Sequence, residues 1–192
     1  PIGTRWVDVN KGDSQNPKIR SRLVAQELNL YKQPELFAAT PPIEYIRFLV
    51  SCCASSQWSD TPTRLMVQDV KKAYFNAPAT RKIYVELPPE DAEPGKVGLL
   101  MKSLYGTRDA SSEWQLYSMS TFQDCGLTPG VSNPTLFEAA AEEDLTIGYE
   151  HGDDIETSMI NESPELRDAF VTAIKYLGVY LGPRAHELQW EL

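Results

Sequence analysis

The sequence is short of the residues that many simple sites are built from. Its 192 residues include two histidines, His151 and His186, and three cysteines. Cys52 and Cys53 are adjacent and Cys125 stands alone, so no zinc-ligand spacing exists. An odd count with two neighbours also argues against a disulfide framework; reduced core thiols and an intracellular setting are expected, with no choice between a cytoplasmic particle and the nucleus. Long hydrophobic runs are missing too. The longest apolar stretch, "IRFLVSCCA", is too short to cross a bilayer and carries Arg47, so no membrane association is expected. There is no signal-peptide pattern, and the first residue is Pro1, not Met, which reads as a piece of a longer protein. Repeats and low-complexity linkers are absent. Positive charge is in deficit: the net charge is −9. That seems a poor match to nucleic acid, whose phosphates are gripped by Lys and Arg.

The distribution of charge changes this view. Residues 138–168 hold eleven Asp or Glu against Arg167 alone, a balance of −10, which leaves +1 for everything else. Residues 1–32 carry six Lys or Arg against three Asp or Glu. The chain is polarised, with a basic start and an acidic late segment. By charge alone that segment reads as a solvated acidic hairpin.

Hydrophobic residues make up 42% of the chain, enough for a core in one domain. "TRWVDVN" alternates as a strand, and "KGDSQNP" is turn chemistry. "KIRSRLVAQEL" alternates too, and as a strand puts Lys18, Arg20 and Arg22 on one face. "PPIEYIRFLVSCCASSQW" predicts a buried helix, with Ile43, Ile46, Leu49, Val50 and Cys53 at helical spacing. "TRLMVQDVKKAYFN" opens as a strand, and "RKIYVELPPED" is a strand stopped by two prolines. "DASSEWQLYSMSTFQDCG" predicts a helix with Trp114, Tyr117, Ser118 and Phe122 on one side and Gly126 past its end. "NPTLFEAA" and "DLTIGYEH" are strands around "AEED". "SPELRDAFVTAIKYLG" has a Ser163 cap, Pro164 and a Gly178 stop for another helix, and "VYLGPRAHELQWEL" is a last strand or hairpin. The mixture predicts an α+β fold.

One constellation carries chemistry. If "TIGYEH" and "IETSM" pair as a hairpin, Gly152, Asp153 and Asp154 form its tip, where glycine tolerates the tight backbone. Two carboxylates there repel by about 4 kcal/mol at roughly 4 Å and an effective dielectric of about 20. A hard divalent cation relieves this, since it takes oxygen ligands. A two-ion site needs a further carboxylate, and Asp69, which ends the apolar "LMVQD", is the candidate.

These residues lie within a larger pattern. "RSRLVAQE", "FAATPPIEYIRFLVSCCAS", "QDVKKAYFNAP", "IYVELPPE", "KSLYGTRDASSEW" and "GDD" come in an order and spacing that resemble the reverse transcriptase of copia-type long-terminal-repeat retrotransposons, over roughly residues 5–157. "DVKKAYFN" with "KSLYG" is the specific combination; "GDD" alone is weak. The resemblance implies the palm of a polymerase right hand, an antiparallel sheet backed by helices, with a partial fingers part. It implies one domain over residues 1–192, fingers-like at 1–60 and 77–105 and palm-like at 61–76 and 106–192. It implies that Asp69, Asp153 and Asp154 hold two Mg²⁺ ions, with Mn²⁺ as a substitute, for in-line attack of a primer 3′-hydroxyl on a deoxynucleotide. Arg20 and Arg22 match the basic pair that grips the triphosphate. Lys72 and Ala73 match residues offering backbone amides to phosphates, and Tyr74 the aromatic that excludes a 2′-hydroxyl. RNA template, DNA or RNA primer, deoxynucleotides and the other domains of a pol polyprotein are the implied partners.

The departures are specific. Glu150 and Glu156 flank the aspartate pair where apolar residues are expected, and His151-Gly152 replaces Tyr-Val. Asp109 stands where many relatives have Gln, an added negative charge that is unfavourable near a triphosphate unless Arg108 pairs with it. Ser111 and Ser112 replace Pro and a basic residue. After Ser158 the match is poor, and no thumb, connection or RNase H region follows. The resemblance thus also admits a truncated or inactive relic, at most a weak nucleic-acid or protein binding module.

Overall fold

The computed structural model describes residues 1–28, 36, 38–56, 64–70, 72–141, 144–151 and 154–160. These residues form β1 (Thr4–Asn10), β2 (Ile19–Ala25), α1 (Ile43–Ser56), β3 (Arg64–Asp69), β4 (Tyr84–Val85), β5 (Gly98–Leu99), α2 (Ala110–Asp124), β6 (Thr128–Pro129), β7 (Leu136–Ala141), β8 (Asp144–His151) and β9 (Asp154–Ile160). A 3-10 turn, Ala73–Phe75, follows β3. All pairings between these strands are antiparallel, as an α+β chain of hairpins requires. The helix expected at 163–178 and the last strand lie outside the described residues. The chain divides into two compact units: Pro1–Phe37 with Tyr74–Trp114, and Ala38–Ala73 with Gln115–Leu192. The resemblance implied fingers-like and palm-like parts bounded after residues 60, 76 and 105, a separate description from these units.

In the first unit, β1 and β2 pair from Thr4↔Ala25 to Asn10↔Ile19. Polar side chains close the turn between them. Asn10 Oδ1 accepts from the amides of Gly12 and Lys18, both at 2.9 Å, and Asp13 Oδ1 accepts from those of Gln15 and Asn16. The unit's core gathers Ile83, Val85, Leu104, Ala110 and Trp114. The strand predicted over residues 81–91 is only β4, paired with β5; Pro88 and Pro89, which donate no hydrogen bond, lie beyond it. Residues 104–108 run along the end of β2. Tyr105 O accepts from Ala25 N at 2.8 Å, and Gly106 O from Glu27 N at 3.3 Å. Gly106 has φ +89, and a Cβ on it would lie 2.0 Å from Ala25 O, so both conformation and space demand glycine.

The second unit contains a five-stranded sheet in the order β3-β9-β8-β7-β6. β6 to β9 run as a meander, and β3 completes the sheet beside β9. Pro129 sits on edge strand β6, where a missing ladder donor is tolerated. α1 packs against β3, β8 and β9, with Tyr45 edge-on to Tyr149 at 6.4 Å. Its predicted burial is corrected. Leu49 is fully buried, but Ile43 and Val50 are 51% and 48% exposed, as is Phe48 at 53%. Successive helical residues are about 100° apart, so Val50 cannot share the narrow stripe of Leu49. α2 ends as its Gly126 signal predicts. Gly126 has φ 87 and its amide donates to Gln123 O, while the Leu127 amide donates to Phe122 O, both at 2.9 Å. Phe122 stacks on Phe137 of β7 at 4.5 Å. None of the three cysteines is in a disulfide, and all are half-buried.

Candidate active site

The acidic constellation is a matter of register. β3 and β9 pair from Arg64↔Met159 to Asp69↔Asp154, so Asp69 and Asp154 stand directly opposite at one end of the sheet. On the other side of β9, Asp154 pairs with His151 of β8. Asp69, Asp154 and His151 thus form one row across three strands. Directly opposed residues of antiparallel strands have Cα atoms about 4.5–5.5 Å apart, close enough for two carboxylates to share one cation. Residues 152 and 153 alone connect His151 to Asp154; Asp153 itself lies outside the described residues. Among the described residues no three His, Cys, Asp or Glu side chains converge as a ligand set.

Chain order explains the row. Alternating "LMVQD" makes β3, and "DLTIGYEH" and "DIETSMI" make a hairpin with a two-residue connection. The flanking glutamates do not prevent this hairpin. Glu150 is 5% exposed, and its Oε2 accepts from Ser118 Oγ of α2 at 2.5 Å. Glu156 occupies β9 opposite Val67 and Tyr149.

The expected triphosphate-binding residues begin on β2. Arg20 and Arg22 are both exposed, two residues apart and therefore on one face. Among the described residues neither is paired with a carboxylate. Arg22 lies over the ring of Tyr105, its Cζ 5.4 Å from the centroid. The Tyr105 ring is 4.5 Å from that of Tyr74, and Phe75 meets it edge-on at 5.6 Å. Tyr74 is half-buried, and its hydroxyl lies 3.1 Å from Ser111 Oγ. Lys72 is exposed with a left-handed φ of 58. Ala73 is fully buried, so of the two residues expected to offer amides only Lys72 presents surface. Lys71 lies outside the described residues.

The added charge of Asp109 is paired, though not by its sequence neighbour. Its partner is Arg81, not Arg108; Arg108 instead holds Glu27 through Nε at 3.0 Å. Arg81 bridges Asp109 and Glu27, the latter at 2.6 Å. Asp109 sits just before the first turn of α2, with its carbonyl accepting from Glu113 N at 2.9 Å, and its side chain is only 4% exposed. A buried charge in such a position needs a close partner, and Arg81 supplies it. Burial works to raise the Glu27 carboxyl, but the Arg108 amide and then the Arg81 and Arg108 guanidiniums outweigh it and hold it below its ordinary 4.5. Hydrogen bonding to Asp109, opposed by burial and aided by Glu27, raises Arg81 further. Glu113 is buried and accepts from Thr80 N at 2.7 Å, from Thr80 Oγ1 and from Ser103 Oγ. Sequence reasoning noted Tyr105 and Glu113 only as part of "SLYGTRDASSEW", the segment that the resemblance packs against nucleotide and template, and it missed Arg81 and Glu27. No spacing signals a carboxylate whose partners lie 54 to 81 residues away.

Fold and site together define an antiparallel α+β protein with opposed acidic positions at one end of its sheet. The chain belongs to the reverse transcriptase family: the profile described as "Reverse transcriptase (RNA-dependent DNA polymerase)" matches residues 1–171. It is similar to the "Retrovirus-related Pol polyprotein from transposon RE1" of Arabidopsis thaliana, with 26% identity over 80% of this chain and 11% of that protein. It is also similar to the corresponding polyprotein from transposon RE2 of the same plant, with 25% identity over 71% of this chain and 10% of that protein. The chain thus spans about a tenth of the length of these curated relatives. No solved structure matches.

Proposed function

We propose that this chain is the fingers-and-palm part of an RNA-directed DNA polymerase from a retrotransposon polyprotein, extending a primer 3′-hydroxyl with deoxynucleotides on an RNA template. The observation that carries the reading is the register that sets Asp69 opposite Asp154. With Asp153 adjacent, these residues offer the oxygen donors that Mg²⁺ takes, and Mn²⁺ can substitute. The bound ions would supply positive charge against the reacting phosphate and the primer oxygen. Asp69, Asp153 and Asp154 would hold those ions.

The remaining roles fall to exposed or half-buried groups. Arg20 and Arg22 carry permanent charges on one strand face and would bind the triphosphate. Lys72, an exposed residue, would add its backbone amide, a role less suited to buried Ala73. The Tyr74 ring, fixed between Tyr105 and Ser111, would close the space that a 2′-hydroxyl needs. The five-stranded sheet with its helices is the palm in this reading, and the β1–β2 hairpin belongs to the fingers. Primer, template and the remaining polyprotein regions are the partners.

The test is Mg²⁺-dependent deoxynucleotide incorporation on a primed RNA template, comparing this chain with Asp69→Asn and Asp153→Asn. Incorporation that disappears in both variants is expected. Equal incorporation by variant and parent chains would remove the carboxylates from the chemistry. Incorporation by none of the three would favour the relic, for which the charged neighbours Glu150 and Glu156 speak.

A further inference from the structure

We infer that Tyr105 is a positioning residue for the nucleotide, holding Arg22 and Tyr74 in one fixed arrangement. The inference rests on the polymerase reading and deepens it. The Arg22 guanidinium lies 5.4 Å from the Tyr105 ring centroid, within cation–π range. The same ring lies 4.5 Å from that of Tyr74, in a tilted contact, and takes Phe75 edge-on. One side chain therefore touches both the residue assigned to the triphosphate and the residue assigned to the sugar.

Tyr105 is itself held by the backbone. Its carbonyl accepts from Ala25 N on β2, three residues after Arg22. Gly106 lets that backbone approach, since any Cβ would strike Ala25 O. The far end of the Tyr74 ring is fixed as well, by Ser111 Oγ at 3.1 Å. Arginine has several free torsions and loses entropy on gripping a phosphate. An aromatic face that orders it beforehand lowers that cost. Tyr74 discriminates by steric exclusion only if its ring cannot tilt away, and Tyr105 supplies the packing that prevents this.

Equilibrium binding of dATP and ATP to the 192-residue chain with Mg²⁺ tests the idea. The comparison uses wild type, Tyr105→Leu, Tyr105→Phe, Arg22→Ala and the Tyr105→Leu/Arg22→Ala double variant, with folding followed by circular dichroism. Tyr105→Leu should weaken dATP binding about three- to tenfold, as a cation–π contact allows, and narrow the preference for dATP over ATP. Tyr105→Phe keeps the ring face and should retain clearly more of both than Tyr105→Leu. The losses in Arg22→Ala and Tyr105→Leu should not add in the double variant. Wild-type binding that Tyr105→Leu leaves unchanged overturns the positioning role alone. Additive losses also overturn it, because they make Tyr105 independent of Arg22. A folded wild-type chain that binds no dATP overturns the polymerase reading and the positioning role with it. A Tyr105→Leu chain that unfolds moves the decision to Tyr105→Phe and Arg22→Ala. A folded Phe variant that binds dATP no better than Arg22→Ala would then overturn the ring-face argument.

Discussion

At the scale of single residues, Gly106 and Glu27 make sharp predictions. Gly106 combines a left-handed φ of +89 with a backbone oxygen 2.0 Å from where a Cβ would stand. Gly106→Ala must therefore strain the backbone and push residues 104–106 off β2. A loss of about 2 kcal/mol or more is expected, read as a lower urea midpoint at unchanged slope. An unchanged midpoint would mean that this close approach is not maintained in solution. Glu27 predicts a pH dependence. Its folded pKa lies below the ordinary 4.5, so the folded state binds fewer protons there than the unfolded state. The stability it adds is present above about pH 4.5 and is lost as pH falls through the lowered value. Glu27→Gln should lower stability at pH 7 and flatten the acid limb of a stability–pH curve. If the acid limb keeps its full slope, other carboxyl groups account for it. Neither residue was legible in the sequence. Gly106 was noticed only as part of "KSLYG", with nothing in that motif to show its backbone demand, and the partners of Glu27, Arg81 and Arg108, are far along the chain. Asp109, by contrast, was visible as a misplaced charge, and Arg108 was weighed as a partner for it, but the fold supplies Arg81.

Among the elements, β8 and α2 share a buried polar contact. Glu150 was legible as a departure in an apolar strand, and Ser118 as a member of the inward side of α2. That the two meet was not legible, because which strand a helix covers is a tertiary fact. Ser118 is fully buried, and its hydroxyl also donates towards Gln115 O. Ser118→Ala takes away a donor from a carboxylate that is 5% exposed, at an expected cost of about 1–3 kcal/mol. Adding Glu150→Leu in the same chain should recover much of that, because the buried charge goes with its partner. Thermal melts of the two single variants and the double variant check it; strictly additive losses would show that the contact is not energetically coupled. The long elements were read well for a physical reason. α2 has a full apolar side and a glycine stop, and β7 to β9 have six to eight residues each, enough for period and turn chemistry to speak. β5 and β6, with two residues each, carry no periodicity at all. α1 was found but misjudged in burial, since its apolar residues span more of the helix than the sheet covers.

On the scale of the whole molecule, charge and topology meet at the same place. The first unit holds eleven Lys or Arg against ten Asp or Glu, and the second seven against seventeen, so the unit with the acidic row is at −10 and the other at +1. The sheet is completed by pairing β3 with β9, some ninety residues apart, and Asp69↔Asp154 is the terminal pair of that union. Like charges directly opposite on neighbouring strands destabilise such a pairing as a rule. The candidate aspartates were legible in the sequence from their turn and strand positions. Their opposition was not, because register follows only once β3 is known to lie beside β9. This has a consequence that needs no catalysis to observe. Without divalent cations, Asp69→Asn should raise the melting midpoint, as one of two opposed charges disappears, by about 1 kcal/mol or less in moderate salt. With Mg²⁺, the wild-type chain should gain stability with rising ion concentration, as any ligand of the folded state imposes, while Asp69→Asn gains much less. Melting curves of both chains across a Mg²⁺ series, at constant ionic strength, separate site binding from general screening. Equal gains by both chains would remove Asp69 from any cation site, and the opposition of Asp69 and Asp154 would then be an unrelieved cost of closing the sheet.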